Sequence, residues 1–133
     1  MTTIVVPFDR RRRGAVPLPA IPAPVYPARV ARQLALAHAL QRRVASGEFK
    51  DLAATASGLD FSRARITQLF DLLLLAPDIQ EDILFLECPP GAQPFHEAAL
   101  RPIVRLLVWR EQRRAWAALR RGFAARSPIR ATP

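Results

Sequence analysis

Leu52 to Asp71, LAATASGLDFSRARITQLFD, is the stretch on which the fold turns. Read as two helices joined by a tight turn, it matches the twenty-residue helix-turn-helix pattern. The fifth place of that pattern needs a small residue so that the two helices can cross closely, and it holds Ala56. Places eight, ten, fifteen and eighteen form the core between the helices and hold Leu59, Phe61, Ile66 and Leu69. Two places depart. The ninth, where glycine is usual because the backbone turns left-handed, holds Asp60, which tolerates that region better than most residues. The fourth, usually aliphatic, holds Thr55. Ser62 is a good N-cap for the second helix, its hydroxyl placed to accept a first-turn N–H. Gly58 lies close enough to move the turn by a residue or two.

Working outward, ARVARQLALAHALQRRVASG from Ala28 carries Val30, Leu34, Ala37, Leu40 and Val44 at spacings of three and four, one face of a helix that Gly47 closes. His38 lies beside that face with no second ligand at helical spacing and reads as a partly buried packing residue. A short helix is expected from about Lys50 to Ser57, with a break at Gly58 to Phe61. After the second helix of the pattern, Ala76 and Pro77 stop one helix and start the next, since proline disfavours α geometry in the residue before it yet suits a first helical position. Asp78, Glu81 and Asp82 then fall in or near the first turns, where negative charge suits the helix dipole. CPPGAQP, Cys88 to Pro94, is a loop by composition. Beyond it, HEAALRPIVRLL and WREQRRAWAALRRGF read as one kinked helix or two. On a helical wheel Trp109, Gln112, Trp116, Leu119 and Phe123 gather into a stripe that should pack against the first helix or form a dimer seam, with Arg110, Arg114 and Arg121 on its flank.

The whole is therefore expected to be all-α, a domain of five or six helices over residues 28–123, with no strands. Residues 1–27, containing Arg10, Arg11, Arg12 and Arg13 and six of the 13 prolines, should form a disordered, polyproline-like basic arm, and residues 124–133 a disordered basic tail. At 133 residues there is room for one such domain.

Charge is distributed unevenly. Residues 1–49 have eight basic against two acidic residues, residues 50–100 three against eight, and residues 101–133 nine against one, for a net charge of +9. The basic ends favour polyanionic partners. One cysteine and two histidines exclude a disulfide scaffold and a Cys/His zinc module. The sequence has no glycine-rich phosphate loop, nucleophile elbow, HExxH or separable carboxylate pair, so neither an enzyme nor a cofactor is expected. Cys88 and His96 sit astride a loop with no third group to orient them. No apolar run is long enough for a membrane span, and a cytoplasmic, nucleoid-associated protein is expected.

The run ARQLALAHALQRRVASGEFKDLAATASGLDFSRARITQLFDLLLLAPDIQEDILFL, residues 31–86, resembles the helix-turn-helix domains of ParB and KorB type. It is more similar still to small bacterial proteins found beside phage-like site-specific recombinases. SRARITQLFDLLLLAPDIQEDIL carries most of the likeness, and LRPIVRLLVWREQRRAW a weaker echo. The resemblance implies an all-helical DNA-binding domain. It does not bring ParB's nucleotide-binding domain, whose arginine-rich phosphate motif has no counterpart here. On the residues themselves, Ser62, Arg63, Ala64, Thr67 and Gln68 should face the major groove, with Arg65 a phosphate contact and Arg10 to Arg13, Arg110, Arg114 and Arg121 candidates for the DNA backbone. The expected partner is double-stranded DNA, with a site-specific recombinase and a second copy of the chain as further candidates, in a regulator or accessory factor of a mobile element. The rival reading is an adaptor that docks a recombinase-type partner through Leu72 to Leu75 and Ile79 to Leu86. A weaker one is RNA binding by the arginine-rich ends, discouraged by the lack of stacking aromatics near them.

Overall fold

A computed structural model describes residues 24–126, and the architecture is all-α. Among the described residues there are six helices: α1 (Arg29–Ala45), α2 (Leu52–Leu59), α3 (Arg63–Asp71), α4 (Pro77–Leu84), α5 (Arg101–Val104) and α6 (Trp109–Arg126). Single 3₁₀ turns follow α3 at Leu72–Leu74 and precede α5 at Glu97–Leu100. The arginines Arg10 to Arg13 lie outside the described residues.

The periodic residues of α1 build two adjoining cores. Val30, Ala31 and Leu34, on its N-terminal half, join Leu72, Leu75, Ile79, Ile83, Leu100 and Trp116 in the larger one. Ala37 and Leu40, one and two turns on, meet Ala56, Ile66 and Leu69 in the smaller. The helix thus serves as a spine, with α2 and α3 packed at its C-terminal end and α4 along it. Its end is set by Gly47, whose φ of +83° an L side chain would find strained.

Two short strands depart from the expected all-helical chain. β1 (Tyr26–Pro27) pairs antiparallel with β2 (Glu87–Cys88), and the Ala28 N–H donates to the Leu86 carbonyl at 2.8 Å. This pairing ties the entry of α1 to the exit of α4 and moves the structured boundary ahead of residue 28. A two-residue ladder has no periodicity to read, so only the tertiary contact reveals it. At the other end α6 continues to Arg126, three residues past the expected end of the domain at residue 123.

The acidic cluster of α4 also works differently from expectation. Only Asp78 lies in the helix's first turn. Asp78 receives the Arg113 guanidinium at 2.9 Å, and Asp82 receives Arg120 at 3.0 Å and the Trp116 indole N–H at 2.9 Å. The Arg113 hydrogen bond holds the Asp78 carboxyl below its ordinary range. These carboxylates fasten α6 to α4 and do more than answer the helix dipole. His38 is part-buried as expected. Its Nε2 lies 2.8 Å from Gln80 Oε1, and because Gln80 Nε2 already donates to the Leu73 and Leu75 carbonyls, the imidazole nitrogen must be the donor.

The turn between α2 and α3 follows the sequence closely at the backbone. Asp60 adopts φ 58°, ψ 35°, the left-handed geometry expected at that place, and both it and Phe61 donate their N–H to the Ala56 carbonyl. Asp60→Val should therefore cost about 1–2 kcal/mol, since a β-branched side chain is strained there. Asp60→Gly should stay within about 0.5 kcal/mol, relief of strain being offset by added chain entropy. Urea denaturation of the two variants beside wild type checks the pair.

Candidate nucleic-acid interface

α3 presents two distinct faces. Ile66 and Leu69 are fully buried, and they meet Ala56 of α2 and Ala37 and Leu40 of α1. Leu59 packs at the edge of this cluster, partly buried. Phe61 does not join it and is 39% exposed: it leaves α2 just after the left-handed residue, which turns its side chain outward. Thr55 is fully buried, and its hydroxyl donates to the Asp51 carbonyl at 2.9 Å, so no polar group is stranded. Gly58 belongs to α2, not to the break. A Cβ there would stand 2.9 Å from the Phe49 ring, so glycine serves the close approach of that ring.

On the opposite face Ser62, Arg63, Ala64 and Thr67 are exposed, and Gln68 is half-buried. The Ser62 hydroxyl caps α3 by accepting the Arg65 N–H at 3.1 Å. The Thr67 hydroxyl donates to the Arg63 carbonyl, one turn back, which commits its proton and leaves only its acceptor sites outward. Arg65 is the residue whose setting the sequence did not disclose. Its guanidinium pairs at 2.7 Å with Glu97, a side chain only 10% exposed, in the turn before α5. That pair fixes Arg65 against the body of the domain and leaves the rest of its donor fork uncommitted.

Two hollows flank α3. One, about 200 Å³, is lined by Gln68, Asp71, Leu72, Glu97, Arg101 and Arg105. It is smaller than ordinary ligand pockets and balances two carboxylates against two guanidinia. The other, shallower and about 610 Å³, is formed by Arg29, Arg32, Gln33 and Arg65. Arg29, Arg32 and Gln33 were not among the expected site residues. The available signal was two arginines in the opening turn of a helix that has no acidic residue there.

Arg110, Arg114 and Arg121 are exposed on α6 and have no carboxylate partner among the described residues. Their neighbours Arg113 and Arg120 are tied to Asp78 and Asp82. Of the surface expected to serve an adaptor, Leu72, Leu75, Ile79 and Ile83 are consumed by the core, leaving Leu74, Leu84 and Phe85 exposed. The aromatic stripe of α6 is likewise split. Gln112 and Trp116 are buried, while Trp109 is 50% exposed beside Leu107 and Val108.

No helix among the described residues is long and apolar enough to cross a membrane, and no group of His, Cys, Asp and Glu there could hold a metal. Comparison with protein-family models, with curated protein sequences and with solved structures finds no match for this chain.

Proposed function

We propose that this chain binds double-stranded DNA through a helix-turn-helix formed by α2 and α3, with the first two turns of α3 in the major groove. The observation that carries the reading is the division of α3. Ile66 and Leu69 hold it to α1 and α2, while Arg63, Ala64 and Thr67 stand clear on its outer face, with Gln68 at its margin. Arg63 can read a guanine edge and Gln68 an adenine edge, while the exposed Ser62 and the arginines around it suit phosphate. The resemblance to ParB and KorB type domains, and to small proteins found beside recombinases, supports the same reading and suggests a regulator or accessory factor of a mobile element acting at the nucleoid.

Selection of duplexes from a random pool, followed by titration of variants against the recovered site and a scrambled one, tests it. Arg63→Ala and Gln68→Ala should each leave the melting temperature unchanged and lose about 1–3 kcal/mol of discrimination at one base pair. Unchanged affinity for both duplexes would remove the DNA-binding reading.

A protein-docking role is the second reading. Leu74, Leu107, Val108 and Trp109 are all exposed, Leu107 by 96%, and Gln112 bonds both the Leu74 and Leu106 carbonyls, so these side chains issue from adjoining segments. Apolar side chains gathered in this way mark an interaction surface. Leu107→Lys with Trp109→Lys would abolish partner binding under that reading and leave duplex affinity intact under the first.

A further inference from the structure

We infer that the hollow between the first turn of α1 and the first turn of α3, formed by Arg29, Arg32, Gln33 and Arg65, is a seat for one phosphate group, supplied by the backbone of a nucleic-acid duplex. The inference rests on the DNA-binding reading for the source of the phosphate, not for the chemistry of the seat.

Three observations converge on it. First, three guanidinia border a single concavity. Two of them, Arg29 and Arg32, are exposed and have no carboxylate partner among the described residues. The third, Arg65, is held in position by Glu97 while keeping donors to spare. Guanidinium forks match phosphate geometry, and one already fixed by a carboxylate loses less entropy on binding.

Second, these charges occupy an unfavourable place. α1 is a helix of 17 residues with no acid in its first turn, and Arg29 and Arg32 stand where the dipole is positive. A helix start normally attracts carboxylates, so a cluster of cations there is electrostatically frustrated until an anion joins it. A bound phosphate would relieve both the mutual repulsion of the arginines and their conflict with the dipole.

Third, Gln33 faces the same hollow with its amide unused. Its Oε1 is buried without a partner, and the side chain makes no hydrogen bond among the described residues. Among the described residues the amide thus holds nothing in place, and its Nε2, which is not among the buried unpaired atoms, is suited to donate to a phosphate oxygen.

The position of the seat gives it a role. Arg65 belongs both to the hollow and to the first turn of α3, so a phosphate held there would set how deeply that turn enters the groove. Phosphate contacts of this kind fix register and orientation without reading sequence.

The test compares Arg29→Ala and Arg32→Ala with Arg42→Ala, which removes the same charge from the far end of α1. Duplex affinity is measured over a salt series on the selected and a scrambled site. One lost phosphate contact should flatten the slope of log K against log salt by about 0.9 for Arg29→Ala and Arg32→Ala, equally on both duplexes, and leave Arg42→Ala near wild type. Slopes indistinguishable from that of Arg42→Ala would overturn the seat while leaving the DNA-binding reading standing. A second arm titrates inorganic phosphate and pyrophosphate into the full chain and follows the Arg29, Arg32 and Arg65 Nε–H signals by NMR. Saturable shifts in a protein that binds no duplex would retain the seat for free phosphate and overturn the duplex as its source. Absence of both duplex binding and saturable shifts would overturn the seat itself.

Discussion

Trp116→Ala should destabilise the domain by about 3–5 kcal/mol, whereas Trp109→Ala should change stability by no more than about 0.5 kcal/mol. The two tryptophans are seven residues apart on one face of α6, yet Trp116 is 4% exposed and Trp109 50%. Trp116 meets Phe95 edge to face with ring centroids 5.6 Å apart, and Phe95 in turn stacks obliquely on Phe123 at 5.4 Å. Truncation would open a cavity beneath Phe95 and strip Asp82 of the indole N–H. Against a typical stability of about 5–15 kcal/mol, that loss is a large part of the whole. Trp116→Phe separates the two contributions. It keeps much of the apolar contact and forfeits the hydrogen bond, so it should recover more than half of the deficit. Urea denaturation of the three variants beside wild type measures all of this, and equal losses at Trp109 and Trp116 would show that the exposed ring is covered in solution.

Periodicity and punctuation in the sequence told which face of a helix is buried and where the helix stops, but not what covers it. The apolar spacing of α1, the cap at Ser62, the left-handed Asp60, the close of α1 at Gly47 and the start of α4 at Pro77 are local properties, and each is found where the sequence indicates. The stripe of α6 was legible as a stripe. Its N-terminal end escapes burial because Trp109 opens the helix, immediately after the exposed Leu107 and Val108. Asp78 and Asp82 looked like groups answering their own helix, because their partners Arg113 and Arg120 lie 35 and 38 residues away. The same distance effect hid the pair Arg65 and Glu97, and with it the basic hollow on α1. Of the candidate recognition surface, the residues were readable from helical phase alone. Arg65's attachment and the restraint on Thr67 were not, since both depend on which atoms the fold brings within hydrogen-bonding reach.

The second large effect is expected at Gln112, a polar residue 1% exposed within an otherwise apolar stripe. Its side chain ties α6 to two segments of chain: Oε1 accepts the Ala76 N–H at 2.8 Å, and Nε2 donates to the Leu106 carbonyl at 2.9 Å and the Leu74 carbonyl at 3.2 Å. Ala76 is the residue before Pro77 at the start of α4 and is itself fully buried, so its N–H has no water to turn to. Gln112→Leu keeps the volume and makes the stripe wholly apolar but strands that N–H along with two carbonyls. A stranded buried group costs about 1–3 kcal/mol, and the carbonyls nearer the surface cost less, so a total loss of about 2–4 kcal/mol is expected. Gln112→Glu provides the sharper test, because it keeps an acceptor for Ala76 and replaces the donor by one that exists only when the carboxyl is protonated. Burial and two facing carbonyls would raise the folded-state pKa of that glutamate above its unfolded value. Its contribution should therefore be fully present below the unfolded pKa and decline as pH rises through the folded one. Measured against wild type at each pH, the Gln112→Glu deficit should be smaller near pH 4 than near pH 7. A deficit independent of pH would mean that the substituted carboxyl has the same pKa folded and unfolded, and so is not held in the buried place against the Leu74 and Leu106 carbonyls.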